Sequence, residues 1–102
     1  MTFSVILDDQ TKFTVNFLTD EDATFCSIFD SSLNFVICSG HTILSMDDDF
    51  NAIEGMKHAL RRALDAPPSL FGRETRGMFW ESFWAAIDVF TLSHDDIGID
   101  WL

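Results

Sequence analysis

The apolar residues of this chain change their period once, near residue 47, and that switch limits the folds open to it. Over residues 2–7 they alternate, with Phe3, Val5 and Leu7 on one face and Ser4 and Ile6 on the other. Asp8-Asp9-Gln10-Thr11 reads as a turn. Residues 12–18 alternate again, with Phe13, Val15 and Phe17 set against Thr14 and Asn16. Period-two patterning rich in β-branched and aromatic residues marks half-buried strands, so the two runs read as an antiparallel hairpin. After the acidic loop Thr19-Asp20-Glu21-Asp22, residues 23–30 and 33–39 read as a second hairpin around Ser31-Ser32-Leu33-Asn34. Its Phe25, Ser27 and Phe29 share one face, and Cys26 and Ile28 share the other. Being apolar on both sides in places, this hairpin is expected at the centre of the sheet. Ser39-Gly40-His41 is expected to break it, with a short extended piece, a candidate fifth strand, at residues 42–46.

From Asp47 the spacing becomes helical. Phe50, Ile53, Met56 or Lys57, Leu60 and Leu64 recur every three or four residues, which predicts a first helix over residues 47–66. Asp47, Asp48 and Asp49 at its start complement the positive end of the helix dipole and can cap free N–H groups. Arg61 and Arg62 fall near its end, where the dipole favours cations, and Ala66-Pro67-Pro68 stops it. Gly55 lies inside at a cost of about 1 kcal/mol relative to alanine, which implies close packing of the helix on the sheet. A second helix is expected over residues 69–91, with Ser69 as a candidate cap. Phe79, Phe83 and Ile87 form one row, Trp80, Trp84 and Phe90 lie beside it, and Glu74, Gly77, Glu81, Ala85 and Asp88 fall opposite. Residues 92–102 are left as an acidic tail. Hairpins followed by helices argue for one α+β domain over residues 1–102: an antiparallel sheet of about four strands with two helices on one face.

The 102 residues suffice for one modest core, and 47% apolar content rules out disorder. No apolar run approaches the roughly 20 residues that span a bilayer, and the first residues lack a basic signal region. The chain is therefore expected in the cytoplasm, with no membrane partner. Cys26 and Cys38 do not make a disulfide framework. With a two-residue loop at Ser32-Leu33, Cys38 would face Ser27; a loop one residue different would oppose the cysteines.

Charge carries the strongest functional signal. Residues 1–56, 57–76 and 77–102 carry −9, +3 and −5, giving the chain's −11. Five of the six basic residues lie in the middle segment. So acidic a domain repels nucleic acid and attracts basic protein surfaces. The candidate partner-binding residues are Asp8, Asp9, Asp20, Glu21, Asp22, Asp47, Asp48 and Asp49, all at loop or cap positions. If these loops gather at one rim, they form an acidic ridge able to occupy a nucleic-acid-binding groove. The alternative is a small-ligand site: Lys57, Arg61, Arg62 and Arg76 as an anion pocket for a phosphorylated signal nucleotide, with Arg73 nearby, since arginine forks suit phosphate oxygens. Against it stands ordinary neutralisation by Glu54, Asp65 and Glu74. A third reading takes Phe79, Trp80, Phe83 and Trp84 as an oligomer surface, for a homodimer or a virion component.

No enzyme motif stands out, and no catalytic residue or cofactor is assigned. Asp47, Asp49 and Asn51 match the start of a calcium loop, but Ala52 takes the required glycine position and His58 the bidentate glutamate position. His41, His58 and His94 have no zinc spacing, so no metal is expected.

Residues 38–64 (CSGHTILSMDDDFNAIEGMKHALRRAL) resemble a recurrent pattern in small, mostly uncharacterised bacteriophage-encoded proteins: Cys-Ser ending a strand, a loop reaching Asp-x-Phe, then a helix with Gly and Ala-Leu-x-Arg-Ala-Leu. Here these are Cys38-Ser39, Asp48 or Asp49 with Phe50, Gly55, and Ala59-Leu60-Arg61-Arg62-Ala63-Leu64. Thr24 to Ile28 looks like the strand that opens the pattern, so the resemblance covers about 40 of the 102 residues. The chain departs from it where basic residues would follow the Phe and flank the Gly: Asn51, Ala52, Glu54 and Met56 stand there instead. The resemblance implies a phage or mobile-element accessory protein. A host inhibitor of the anti-CRISPR or anti-restriction type, acting in the host cytoplasm on a nucleic-acid-binding defence protein, fits both it and the acidity.

Overall fold

The computed structural model describes residues 1–20, 23–32, 35–43, 52–67 and 70–96, with side chains to residue 90. Four strands, β1 (Thr2–Ile6), β2 (Lys12–Asp20), β3 (Ala23–Asp30) and β4 (Phe35–Ile43), precede two helices, α1 (Ala52–Asp65) and α2 (Arg73–Asp96). The strands form one antiparallel meander in the order β1-β2-β3-β4. The fold is α+β, as the change of period predicts.

Register follows the alternation. Phe3 and Val5, then Phe13, Val15 and Phe17, then Cys26 and Ile28 all point to one face and are buried. Both helices cover that face: Met56, Ala59, Leu60, Ala63 and Leu64 of α1, and Phe79, Phe83 and Ile87 of α2, join the same core. α1 packs on β3 and β4, and α2 on β1. Phe83 tilts against Phe3 and Phe17, and Phe79 against Phe13, with centroids 5.6–6.2 Å apart. Such ring pairs stabilise beyond their buried area.

Several expectations are corrected. Ser39-Gly40-His41 does not break a strand; these residues pair with Ser27, Cys26 and Phe25 inside β4, which runs on to Ile43. Glycine is needed there for contact, not for a turn. A Cβ on Gly40 would lie 2.3 Å from the Ala63 nitrogen and 2.6 Å from the Ala59 oxygen of α1. Thr42 and Ile43 belong to β4 rather than to a fifth strand, and residues 44–46 lie outside the described residues. β4 is an edge strand, so only half of the second hairpin is central; its apolar outer side is simply uncovered. Between Ile28 and Phe29 the register shifts by one, leaving Ile37 as the extra residue, so Cys38 pairs with Ile28 and Cys26 with Gly40. Neither arrangement expected for the cysteines occurs, and both thiols are free.

Gly55 meets its expectation. A Cβ there would lie 2.7 Å from the Thr24 hydroxyl oxygen. The first bond of α2 runs from the Arg76 N–H to the Gly72 carbonyl, which puts Gly72 at the cap; Ser69 lies outside the described residues. α2 continues through residues 92–96, past the end expected for it at residue 91.

Candidate functional site

Two surfaces assemble the residues singled out by charge. The first is the sheet face opposite the helices. Cross-strand pairing puts Thr2, Ser4 and Ile6, then Lys12, Thr14, Asn16 and Leu18, then Phe25, Ser27 and Phe29, and on β4 Val36, Ser39, His41 and Ile43 on this side. Among the described residues no helix or strand covers it. Leu18 pairs with Phe25, and Phe25 with His41, whose ring stacks on it at 6.0 Å. Leu18 and Ile43 are each 63% exposed, so an apolar cluster stands open at one end of the sheet. Asp20 closes that end beside it, pairing with Ala23, which pairs in turn with Ile43.

Asp8 and Asp9 occupy the β1–β2 turn at the other end. That turn is closed by Leu7 N–H to the Thr11 carbonyl and Gln10 N–H to the Leu7 carbonyl, with Gln10 at a positive φ of 75°. The Thr11 side chain and its N–H, 3.0 Å from Asp9 Oδ1, hold the Asp9 carboxyl below its ordinary range. Asp30 lies at this end too and accepts from the Ser32 N–H and hydroxyl.

Asp8 and Asp9 therefore do not share a rim with Asp20. Successive turns of a meander fall at opposite ends of the sheet, so Asp8 and Asp9 stand about 26 Å from Asp20, the rise of a strand as long as β2. Glu21, Asp22, Asp47, Asp48 and Asp49 lie outside the described residues.

The second surface is a cleft of about 860 Å³ between α1 and the start of α2. Lys57, Arg61, Arg73 and Arg76 line it, with Phe71, Trp80 and Trp84 as aromatic wall. Lys57 and Arg61 share a face because they are four residues apart. Arg62, one residue on, leaves that face: its guanidinium donates to the His41 carbonyl at 2.8 Å, tying α1 to edge strand β4. Arg62 is thus removed from the anion set, and Arg73 takes its place. Neutralisation is partial. Lys57 reaches Glu54 at 3.3 Å, and Arg76 donates to the Asp65 carboxylate and to the Leu64 carbonyl. Among the described residues Arg61 and Arg73 have no ion-pair partner.

The oligomer surface is also corrected. Phe79 and Phe83 are fully buried under the sheet, leaving Trp80 half-buried and Trp84 45% exposed, both on the cleft. The thiols lie on the core side. Burial pushes Cys26 up to about 12, with Cys38 adding to it, and pushes Cys38 up to about 11. Such thiols are poor nucleophiles at neutral pH. No helix among the described residues is long and apolar enough to cross a membrane.

A scan against protein-family models gives no match, and neither do searches of the curated proteins and the solved structures.

Proposed function

We propose that this chain is a binding protein without chemistry of its own, whose open sheet face docks a basic protein surface. The observation that carries the reading is the make-up of that face. An exposed apolar cluster, Leu18, Phe25 and Ile43, lies beside Asp20, and the far end carries Asp8 and Asp9. Docking surfaces commonly combine an apolar centre with a polar rim. Here the rim is anionic, so the fitting partner presents lysine or arginine around an apolar patch. Nucleic-acid-binding proteins supply such surfaces, and a net charge of −11 speeds encounter with them. With the phage resemblance, this supports an inhibitor of a host defence protein, of the anti-CRISPR or anti-restriction kind, acting in the host cytoplasm. The carboxylates at the two ends act as separate anchors instead of a single mimic ridge.

The test is capture of a partner from host lysate at low and high salt, repeated with a D8K/D9K/D20K variant and with Phe25→Ala. The captured protein is expected to be released by salt and lost with either variant. Capture that ignores both salt and charge reversal overturns the reading. So does capture that depends on Trp80 or Trp84, which lie on the helical side.

A further inference from the structure

The cleft between the helices has a different character from the sheet face, and we propose that it binds a mononucleotide. A chain with six basic residues in 102 places four of them around this one cavity. Among the described residues one carboxylate, Asp65, lines it with them. Its volume of about 860 Å³ falls within the usual range of small-molecule sites. Among the described residues neutralisation accounts for Lys57 and Arg76 but leaves Arg61 and Arg73 open, and a guanidinium fork matches phosphate oxygens in pairs.

The aromatic wall narrows the ligand from a bare anion to a nucleotide. Trp80 and Trp84 are one helical turn apart on α2, and each meets Phe83 edge-on, at 5.7 and 5.0 Å. The Phe83 ring is wholly buried and anchors both indoles, which line the cleft. Indoles beside cations suit a flat, electron-rich base attached to a phosphate. A pocket for inorganic phosphate needs no such wall, and a purely apolar ligand would not call for four cations.

Arg76 supplies a further element. Its guanidinium is already committed to the Leu64 carbonyl and the Asp65 carboxylate, and its Nε is buried without a partner among the described residues. Asp65 is the anion resident in the site, and an entering phosphate competes with it for Arg76. Removing that carboxylate while keeping its shape therefore tightens binding.

The experiment is titration calorimetry with tryptophan fluorescence on the full chain, using AMP, GMP, inorganic phosphate and adenosine as separate probes. A nucleotide is expected to quench the fluorescence saturably and to bind at least about tenfold more tightly than either phosphate or adenosine, each of which lacks half of the contacts. R61A/R73A is expected to weaken nucleotide binding by about tenfold or more, and Asp65→Asn to strengthen it, both with a far-ultraviolet spectrum like that of the parent. Trp84→Ala is expected to erase the advantage of nucleotide over phosphate, and Trp84→Phe to keep most of it. No saturable binding of either nucleotide, equal binding of nucleotide and phosphate, or an R61A/R73A variant that binds normally would each overturn the assignment. Because the cleft lies on the helical side, none of these results bears on partner capture by the sheet face.

Discussion

The two helices lie on the same sheet by opposite means. α1 comes in close: Gly40 leaves room for the backbone at Ala59 and Ala63, and Gly55 rides over Thr24. α2 stands off, propped on β1 and β2 by the rings of Phe79 and Phe83. One interface rests on missing side chains and the other on the largest in the core. The first cannot accept an added atom, whereas the second cannot lose one cheaply. The cleft lined by Arg61 and Arg76 lies between these two differently seated helices.

Four tests would break or sharpen this contrast. Gly40→Ala should have the largest effect. Its Cβ would overlap backbone atoms of α1 that no rotamer change can move, so cooperative folding should be lost in a thermal melt followed by circular dichroism. A melt like that of the parent would mean that α1 can lift freely and that the tight side is not tight. Phe83→Ala should come next, costing about 3–5 kcal/mol in denaturant unfolding as the prop is replaced by a cavity. A loss under about 1 kcal/mol would show that α2 settles onto the sheet without it.

The third effect belongs to the α1 side, where Cys26 pairs with Gly40. Its folded pKa is raised from 9.0 to about 12, so the folded state keeps its proton after the unfolded chain has lost its own. The stability due to the neutral thiol is present below pH 9 and falls between pH 9 and about 12, by on the order of 1 kcal/mol per unit. Cys38 adds a similar slope over a narrower window, from pH 9 to about 11. Unfolding free energies measured from pH 8 to 10.5 should decline, and Cys26→Ala should make the decline shallower, leaving the part due to Cys38. An unchanged slope in that variant would assign it to other groups.

The smallest effect is the sharpest comparison, because it applies one substitution to both helices. Gly77→Ala meets nothing within 4 Å and should stabilise by about 0.5–1 kcal/mol through helix propensity. Gly55→Ala gains the same propensity but sets its Cβ 2.7 Å from a buried threonine oxygen, so it should destabilise. Melting temperatures that move in the same direction for both would remove the distinction.

The layout of strands and helices was legible because period two and period 3.6 are local signals. Phe3, Val5, Phe13, Val15 and Phe17 declare one face in their spacing alone. β4 was cut short because Gly40 resembles a turn residue, and the reason for it sits more than twenty positions away at Ala63. The bulge at Ile37 left no local mark either. Two other points were within reach. Arg62 is a step of about 100° round the helix from Arg61, enough to separate it from the cleft. Four strands meandering in sequence order also place alternate turns at opposite ends, which already divides Asp8 and Asp9 from Asp20. What no spacing could give was the cleft itself, since it is lined by residues of two separate helices whose packing is not a local property.

The meander also makes β2 a ruler. Its two ends carry the separate groups of carboxylates, so a linear segment touching both must span about 26 Å, roughly eight extended residues. A shorter basic peptide can occupy one end at a time and gains nothing from the other. Once the length is sufficient, the second contact becomes intramolecular, and affinity should rise in a step instead of in proportion to added charge.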